Sequence, residues 1–424
     1  MSVYFAHHAR SKATERLGEL EILEPYTTIE EQRIEEGRCA TLTQVAKDFE
    51  KAWSIKTNGA LTVGRVHTCD ITINHQFVSN YHFRIYTVFI SHELDLLVYC
   101  EDQSSNGTFV NKVLIGKGRS LLLNDGDKIE IRHASTFIFN QTLRKQKNVK
   151  DILGEDKQFI DQHYNMTSRL LGSGGFGKLY MATSCSTGAQ VACKIMKREK
   201  MIEKGAQYAQ EVDILKKLSH ANVIAVRTCF LTTSKVYLFE DLIPGGDLLS
   251  FFNRHNCYIP EVDTIFIVFQ VLQALAYLHS HHVAHRDLKL ENIMLLSDSP
   301  PAIVLTDFGG ARKFDSLGRM NTVIGTMGYT APEVFSNRVG GNGYGEEVDM
   351  WSLGVVIHIL LSGIHPFGDS CDVESPAVVM ERVSKGLLDL SASCWKDITN
   401  EGVIGCFAGS RLFRQRLRLL SNSN

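Results

Sequence analysis

The hydrophobic pattern of residues 39–140 consists of short apolar runs separated by turn-forming residues. The runs at 70–73, 82–90 and 94–99 alternate in polarity or are rich in β-branched and aromatic residues. Asn-Gly and Asp-Gly turn signals recur between the runs. Many short strands at this spacing predict an all-β sandwich.

Longer helical patterns follow in the second half of the chain. Residues 210–218 are amphipathic, whereas residues 264–279 are apolar almost all round and predict a buried helix. The apolar run 350–361 is too short to span a bilayer and predicts another buried core helix. Residues 1–38 predict a polar N-terminal tail, and the polar segment 141–163 predicts an interdomain linker.

Composition narrows the class of protein. A chain of 424 residues exceeds what one hydrophobic core usually serves, so several domains are expected. The formal net charge of −2 gives no electrostatic basis for a direct nucleic-acid partner. Ten cysteines without CxxC pairs favour free thiols in a reducing compartment. Because no long apolar run follows Met1, we expect no secretory signal and no membrane partner, and a location in the nucleus and cytoplasm.

Three polar loops in the β-rich region are suited to phosphate recognition: Gly64–Arg65, Ser79–His82 and Ser104–Asn111. A phosphate with charge near −2 favours a guanidinium and several hydrogen-bond donors. Each loop alone is also compatible with ordinary hairpin chemistry. Together, and in this order, they resemble the loops of the forkhead-associated (FHA) domain, which binds phosphothreonine peptides.

The FHA resemblance assigns a role to five side chains. It implies that Arg65 and Ser79 hold the phosphate. It further implies that Asn80 and Ser105 line the pocket and that Asn106 clamps the peptide backbone.

A glycine-rich segment from Leu171 to Leu179 begins a second chemical region. Glycines let backbone N–H groups approach nucleotide phosphates without a Cβ in the way. Such a loop alone is a weak signal. Here Lys194 follows in a Val-Ala-Cys-Lys run, and Glu211 lies in the amphipathic run behind it, which is the order expected for a lysine that pairs with a helix glutamate.

The run from His285 to Asn292 and the later Asp307-Phe-Gly complete the protein-kinase signature. The resemblance implies that Asp287 orients the substrate hydroxyl and accepts its proton, and that Lys289 steadies the transferred phosphate. Asn292 and Asp307 would hold Mg²⁺. The residues implied to bind ATP are Leu171, Gly172, Ser173, Gly174, Gly175, Phe176, Gly177, Lys178, Leu179, Ala192, Lys194, Glu211 and Asp241.

The segment between Asp307 and Glu333 resembles an activation loop. Arg286 is placed to bind a phosphate on this loop, and Thr322 is the first candidate to carry it. Thr326 is expected to be a structural contact in the substrate-binding loop, and its phosphorylation stays open.

Two acidic residues have roles outside the signature segments. Asp349 is expected to brace the catalytic loop. Asp247 either selects a basic residue in the substrate or is a helix N-cap, and both interpretations stay open.

The kinase resemblance ends near residue 394. The two helices that follow in kinases have no counterpart in residues 395–424, so an incomplete C-terminal lobe is expected. Glu333 would then lack its arginine partner, and a buried charge without a partner costs about 3–5 kcal/mol.

Together these patterns predict a multidomain chain, in which an all-β FHA sandwich at 39–140 precedes a bilobal α+β protein kinase fold at 164–394. This order resembles the checkpoint kinase two family, including fungal DNA-damage and meiotic kinases. The resemblance implies an ATP- and Mg²⁺-dependent Ser/Thr kinase that is recruited or forms a homodimer when the FHA domain binds phosphothreonine. It also implies substrates with a basic residue three positions before the acceptor. The alternative is an inactive phosphothreonine-binding adaptor, which the incomplete lobe would favour.

Overall fold

The computed structural model describes fourteen parts of the chain. They are residues 37–45, 50–57, 59–88, 96–141, 148–174, 177–198, 214, 216–314, 320, 325–336, 343–368, 376–386, 395 and 398–399.

The N-terminal domain is a β-sandwich. One sheet has the strand order β2-β1-β11-β10-β7-β8 and the other has the order β4-β3-β5-β6-β9. The core between the sheets is formed by side chains that alternate along the strands. Examples are Phe83 and Ile85 on β5, and Val98 and Cys100 on β6. The strands are β1 Arg38–Val45, β2 Glu50–Lys56, β3 Ala60–Gly64, β4 Ile71–Thr72, β5 Phe83–Val88, β6 Leu97–Asp102, β7 Phe109–Val110, β8 Val113–Leu114, β9 Ser120–Leu122, β10 Lys128–Ile131 and β11 Ser135–Asn140.

The segment predicted to be a plain linker contains two short helices, α1 (Val149–Leu153) and α2 (Lys157–Ile160). Leu153 and Ile160 are fully buried in a cluster with residues of the next domain. The prediction underestimated this segment because its few apolar residues lie at helical spacing within a polar background.

The second domain begins with an antiparallel five-stranded sheet in the order β12-β13-β14-β16-β15. This sheet is the N-terminal lobe. Its strands are β12 Tyr164–Gly174, β13 Gly177–Ser184, β14 Gln190–Lys197, β15 Val226–Leu231 and β16 Lys235–Asp241.

The C-terminal lobe is mainly helical, with short hairpins that carry its loops. Helix α6 (Glu347–Ser362) is buried along almost its whole length, as predicted, and is capped by Gly363, whose φ of 76° favours glycine. The elements are α3 Leu248–Arg254, α4 Glu261–Ser280, β17 Val283–Ala284, β18 Ile293–Asp298, β19 Pro301–Leu305, β20 Arg312–Lys313, α5 Pro332–Ser336, α6 Glu347–Ser362 and α7 Pro376–Lys385. The predicted sandwich followed by a bilobal α+β fold is therefore confirmed.

Helix α4 differs from its prediction as a buried helix. Val262, Ile265, Phe266 and Phe269 recur at helical spacing and are each more than half exposed. By length and composition α4 is the one helix in the described ranges that could cross a membrane, a test that core helices of globular proteins also pass. Its opposite face, which includes Ile267, packs into the C-terminal lobe. All-round apolarity therefore did not distinguish the buried face from the exposed one.

Candidate active site and phosphopeptide-binding surface

The glycine-rich segment is the hairpin between β12 and β13. Gly174 pairs with Gly177 at its tip. A Cβ on Gly177 would lie 2.4 Å from the backbone oxygen of Ile195, so only glycine fits this close approach of two strands. Gly172 and Ser173 lie on β12 and Lys178 lies on β13, whereas Gly175 and Phe176 lie outside the described residues.

Lys194 on β14 forms an ion pair with Asp307, with 2.8 Å between Nζ and Oδ1. Burial alone would raise the pKa of Asp307, but the Lys194 ammonium outweighs burial and holds that pKa below its usual value. Asp307 also has a left-handed backbone, with φ of 57°, which aims its side chain back towards β14. The structure therefore brings these two predicted site residues together across the interlobe cleft, while Glu211 lies outside the described residues.

Asp349, at the start of α6, holds the catalytic loop in place through hydrogen bonds. Its carboxylate accepts the backbone N–H groups of His285 and Arg286 at 2.9 and 2.8 Å, and accepts His279 Nε2 at 2.8 Å. The side chain is fully buried. Burial alone would raise the pKa of Asp349, but the His279 hydrogen bond and charge outweigh it, so the pKa lies below its usual value.

Asp287 lies at the centre of a compact polar cluster. Thr326 donates both its backbone N–H and its hydroxyl to Asp287 Oδ1, at 3.1 and 2.8 Å. Lys289 Nζ donates to the Thr326 hydroxyl at 2.9 Å and lies 3.4 Å from Asp287 Oδ2. Asn292 Nδ2 donates to the backbone oxygen of Asp287 at 2.7 Å. All three predicted catalytic residues therefore meet, together with Thr326.

The residues predicted to hold Mg²⁺ fit that ion chemically. The segments that carry Asn292 and Asp307 are adjacent, since the N–H of Thr306, next to Asp307, donates to the backbone oxygen of Asn292 at 2.9 Å. The amide of Asn292 faces Asp287 through its nitrogen, which leaves its side-chain oxygen available as a ligand. The described residues contain no cluster of three or more His, Cys, Asp or Glu side chains. Mg²⁺ usually keeps several waters and uses substrate phosphates as ligands, so one or two protein oxygen ligands suffice for it.

Arg286 is buried beside the catalytic loop in a left-handed conformation, with φ of 66°. Its guanidinium donates to the backbone oxygen of Gly310 at 2.7 Å and to the Tyr344 hydroxyl at 3.1 Å. The arginine therefore already joins the segment after Asp307 to the segment before α6. Thr322, the predicted phosphate carrier, lies outside the described residues.

The predicted adenine contacts line the lower face of the N-terminal sheet. Leu171 and Ala192 are each only 3% exposed, and Leu179 packs beside them. Asp241 at the end of β16 is held by Arg227, whose Nη2 donates to Oδ2 at 2.9 Å. The carboxylate of Asp241 therefore faces Arg227, and its backbone N–H donates to the Ala225 oxygen at 3.1 Å.

Two carboxylates lie next to the catalytic loop on the C-terminal lobe. Asp247 is the N-cap of α3 and accepts the Ser250 N–H at 2.7 Å. Burial raises the pKa of Asp247. Burial also raises the pKa of Glu291, and the charges of Asp247 and Asp287 add to that rise. Sequence reasoning missed Glu291, although its place between Lys289 and Asn292 put it in the catalytic loop.

The three polar loops of the sandwich converge at one end of the β3–β5–β6 sheet. Arg65 is exposed, and its Nη2 donates to Asn80 Oδ1 at 3.3 Å. The Ser105 N–H donates to Ser79 Oγ at 3.1 Å, which joins the second and third loops. The Asn106 amide donates to the backbone oxygen of Phe77 at 3.0 Å. All five predicted phosphopeptide residues therefore lie on one polar surface around an exposed guanidinium.

A buried network supports this surface, and sequence reasoning missed Asp102 at its centre. Asp102 Oδ1 accepts the Ser104 N–H and the hydroxyls of Ser104 and Thr108, and Oδ2 accepts the Thr108 N–H. His82 is fully buried and its Nδ1 accepts the Ser79 N–H at 3.0 Å. In Gly64, a Cβ would lie 2.1 Å from the backbone oxygen of Asn80, so glycine allows the first two loops to touch.

Glu333 and the chain end differ from their expectation. Glu333 lies at the surface rather than in the core, yet partial burial raises its pKa and the charge of Glu347 adds to that rise. The rings of Trp395 and His358 form a T-shaped contact, with 4.8 Å between their centroids. The Thr399 N–H donates to the Glu261 carboxylate at 3.2 Å. Trp395 and Thr399 therefore contact the C-terminal lobe.

Comparison with known proteins agrees with this geometry. The protein kinase domain family matches residues 165–403, and the FHA domain family matches residues 61–132. The chain is 40% identical over 410 residues to the meiosis-specific serine/threonine-protein kinase mek1 of Schizosaccharomyces pombe, covering 92% of this chain and 90% of that protein. It is 32% identical over 362 residues to the serine/threonine-protein kinase cds1 of the same organism, covering 82% and 76%.

One solved structure is similar to this chain over most of its length. The crystal structure of Rad53 residues 1–466 in complex with AMP-PNP has a TM-score of 0.51 and 25% sequence identity, covering 88% of this chain and 95% of that one. These relatives are kinases, so the inactive-adaptor alternative is not favoured. The chain belongs to the FHA-domain-containing protein kinases and is an ATP-binding serine/threonine protein kinase.

Proposed function

We propose that this kinase phosphorylates serine or threonine in proteins of a DNA-damage or meiotic checkpoint, with Mg²⁺ and ATP. The observation that carries the proposal is the Asp287, Lys289 and Thr326 cluster, which joins the catalytic loop to the substrate-binding loop. The relatives named for meiosis-specific kinase activity support the choice of process.

Each residue of the cluster has a chemical task. Mg²⁺ supplies charge neutralisation for the phosphates of ATP, held by Asn292 and Asp307. Asp287 orients the substrate hydroxyl and accepts its proton. Lys289 steadies the transferred group, and the Thr326 hydroxyl keeps Asp287 and Lys289 at a fixed separation.

Substrates with a basic residue three positions before the acceptor fit the charge beside the catalytic loop. Asp247 and Glu291 lie close enough for the charge of one to raise the pKa of the other. A guanidinium between them would relieve this repulsion. Selection of a basic residue is therefore compatible with the N-cap role of Asp247.

Recruitment is proposed to occur through the FHA surface. A phosphothreonine on a partner protein, or on a second copy of this chain, would bind at Arg65 and bring the kinase domain to its target. Binding between two copies would give a phosphorylation-dependent homodimer. A phosphate on Thr322 would be held near Arg286 and order the activation loop. A location in the nucleus and cytoplasm stays a proposal. The basic segment 144–147 is compatible with a nuclear signal, although a solvated linker is the favoured interpretation.

The substrate preference is tested with the purified chain and two peptides that differ only by Arg or Ala three positions before threonine. We expect kcat/KM to favour the Arg peptide, and expect this preference to shrink in Glu291→Gln while turnover of the Ala peptide is retained. Equal kcat/KM values for both peptides would overturn the proposed specificity. Loss of all transfer on removal of Mg²⁺ by EDTA is expected and tests the cofactor.

A further inference from the structure

The outer face of the β5–β6–β9 sheet is apolar. Along β6, Val98 and Cys100 point into the sandwich core, whereas Leu97 and Tyr99 belong to a separate buried cluster. Since side chains alternate along a strand, Leu97 and Tyr99 lie on the face that a lone sandwich would expose to water. Val88 on β5 and Leu122 on β9 belong to the same separate cluster.

This face is covered by the N-terminal lobe of the kinase domain. The cluster that contains Val88, Leu97, Tyr99 and Leu122 continues into the kinase residues Leu171, Met181 and Ala192. All seven side chains are at most 3% exposed. Leu171 and Ala192 are also predicted adenine contacts, so the FHA domain packs next to the nucleotide site.

Polar contacts fix the position of the FHA domain on the N-terminal lobe. The Leu122 N–H donates to the Gln190 side-chain oxygen, and the Gln190 amide donates back to the Leu122 oxygen, both at 2.8 Å. Arg169 Nη2 donates to the backbone oxygen of Leu96 at 3.0 Å and to Gln141 Oε1 at 3.2 Å. Arg169 is almost completely buried in this interface.

The same FHA strand reaches past the hinge, where the chain leaves β16 of the N-terminal lobe after Asp241, to the C-terminal lobe. A Cβ on Gly246 would lie only 2.7 Å from Val88 Cγ1, so Val88 rests directly on the chain just after the hinge. The Tyr86 hydroxyl donates to the Pro244 oxygen at 3.4 Å. Arg254 on α3 reaches the Thr87 oxygen at 3.5 Å. The FHA domain therefore contacts both lobes, one on each side of the hinge.

We propose that the outer face of the FHA sheet is an interaction surface for the kinase domain of the same chain, acting as a strap across the hinge that restrains opening of the nucleotide cleft. In this docked arrangement the lobes are close enough for the Lys194–Asp307 ion pair to span the cleft. Opening of the cleft moves the two lobes apart, and a rigid body fixed to both lobes opposes that motion. This proposal depends on the proposed function, since it assumes that the kinase uses ATP.

The phosphopeptide surface stays accessible while the strap is in place. Phe83 pairs with Asp102 at the loop end of the β5–β6 pair, whereas Val88 pairs with Leu97 at the docked end. The Arg65 surface therefore lies at the opposite end of the strands from the kinase. Phosphothreonine binding and docking are compatible in one molecule.

The strap is tested by measuring association of a fluorescent ATP analogue with the full chain in a stopped-flow instrument. Val88→Arg places a charge in the docked face, and Val113→Arg makes the same change at a 52% exposed position on β8. We expect Val88→Arg to raise the association rate constant about fivefold or more, in line with typical coupling between sites, and Val113→Arg to leave it unchanged. Retained phosphothreonine-peptide binding verifies that the FHA domain of each variant is folded.

A milder variant covers the case in which Val88→Arg does not fold. Gln190→Ala removes the paired hydrogen bonds to Leu122 from the kinase side and is expected to accelerate association by a smaller factor. Unchanged or slower association in folded variants would overturn the strap alone. Failure of the unmodified chain to bind the analogue would instead overturn the proposed function, and the strap with it.

Discussion

At the scale of single residues, the hydroxyl of Thr326 links the two catalytic side chains. It donates to Asp287 and accepts from Lys289, so one oxygen sets the distance between a proton acceptor and a phosphate contact. Hydrogen bonds to charged groups contribute about 1.5–3 kcal/mol. We expect Thr326→Val, which keeps the shape and removes the hydroxyl, to lower kcat by about 10- to 100-fold with a smaller change in KM.

Thr326→Ser is the matched control because it keeps the hydroxyl and loses only a methyl group. Steady-state kinetics on an Arg-x-x-Thr peptide would separate the two variants. A Thr326→Val enzyme with the kcat of the unmodified chain would show that the hydroxyl does not position the catalytic pair.

The buried pair of His279 and Asp349 predicts how the stability of the kinase region depends on pH. Burial alone would lower the pKa of His279, but the Asp349 hydrogen bond and charge raise it above 6.5. The stabilisation from the charged histidine is therefore complete below pH 6.5 and is lost as pH rises through the folded pKa. The lowered pKa of Asp349 has the opposite consequence: its stabilisation exists above pH 3.8 and is lost as pH falls through its folded pKa.

We expect His279→Gln to destabilise the kinase region more at pH 6 than at pH 8.5, relative to the unmodified chain, as measured by urea unfolding at both pH values. His281→Gln, which changes an exposed histidine two positions later, is the control. Equal destabilisation by His279→Gln at both pH values would contradict the charged pair.

At the scale of elements, the loop between β6 and β7 depends on Asp102. Its carboxylate accepts four hydrogen bonds from the loop, so Asp102→Ala leaves several buried donors without a partner. We expect the substitution to destabilise the FHA domain by about 3 kcal/mol and to weaken phosphothreonine-peptide binding. Thermal unfolding and peptide titration would check this, with Glu101→Ala as the neighbouring control. Unchanged peptide affinity would show that the network does not shape the surface.

Elements also show which parts of the fold could be predicted from the sequence. The glycine hairpin, the catalytic loop and the three FHA loops could be predicted, because a few adjacent residues are enough to recognise each of them. The partners of those segments are distant in sequence: Thr326 meets Asp287, and Asp102 holds Thr108, only after folding. Helix α4 was predicted to be buried because periodicity cannot show what covers a face.

One element carried a signal that could have revealed the docked face. In β6, the run Leu97-Val-Tyr-Cys100 is apolar on both faces, which is unusual for an antiparallel sandwich with one face in water. Such a strand predicts a cover over its outer face. The pattern cannot identify the cover as the kinase hinge, since that depends on the assembly of two domains.

At the scale of the whole molecule, the two binding surfaces are separate. Arg65 lies at the loop end of the sandwich, away from the kinase contact, and Asp287 lies in the interlobe cleft. We expect Arg65→Ala to abolish phosphothreonine-peptide binding while leaving phosphate transfer to an unphosphorylated peptide within about twofold, because separate sites act additively. Isothermal titration and a peptide kinase assay would measure the two properties. A large loss of transfer would contradict this independence.

The described chain end also bears on activity. Trp395 and Thr399 contact the C-terminal lobe, and Glu333 lies at the surface with a pKa raised by partial burial and by the charge of Glu347. The intact catalytic cluster then becomes the deciding feature for function.

The most direct test of the central claim is phosphate transfer from Mg²⁺-ATP to an Arg-x-x-Thr peptide by the purified chain and by Asp287→Ala. Asp263→Ala, which changes a carboxylate in the first turn of α4, is the matched control. An active kinase that uses Asp287 as its proton acceptor predicts transfer by the unmodified chain and the control, and a loss of about 100- to 10,000-fold in Asp287→Ala. Equal transfer by Asp287→Ala, or no transfer by a folded unmodified chain that still binds phosphothreonine peptide, would contradict it.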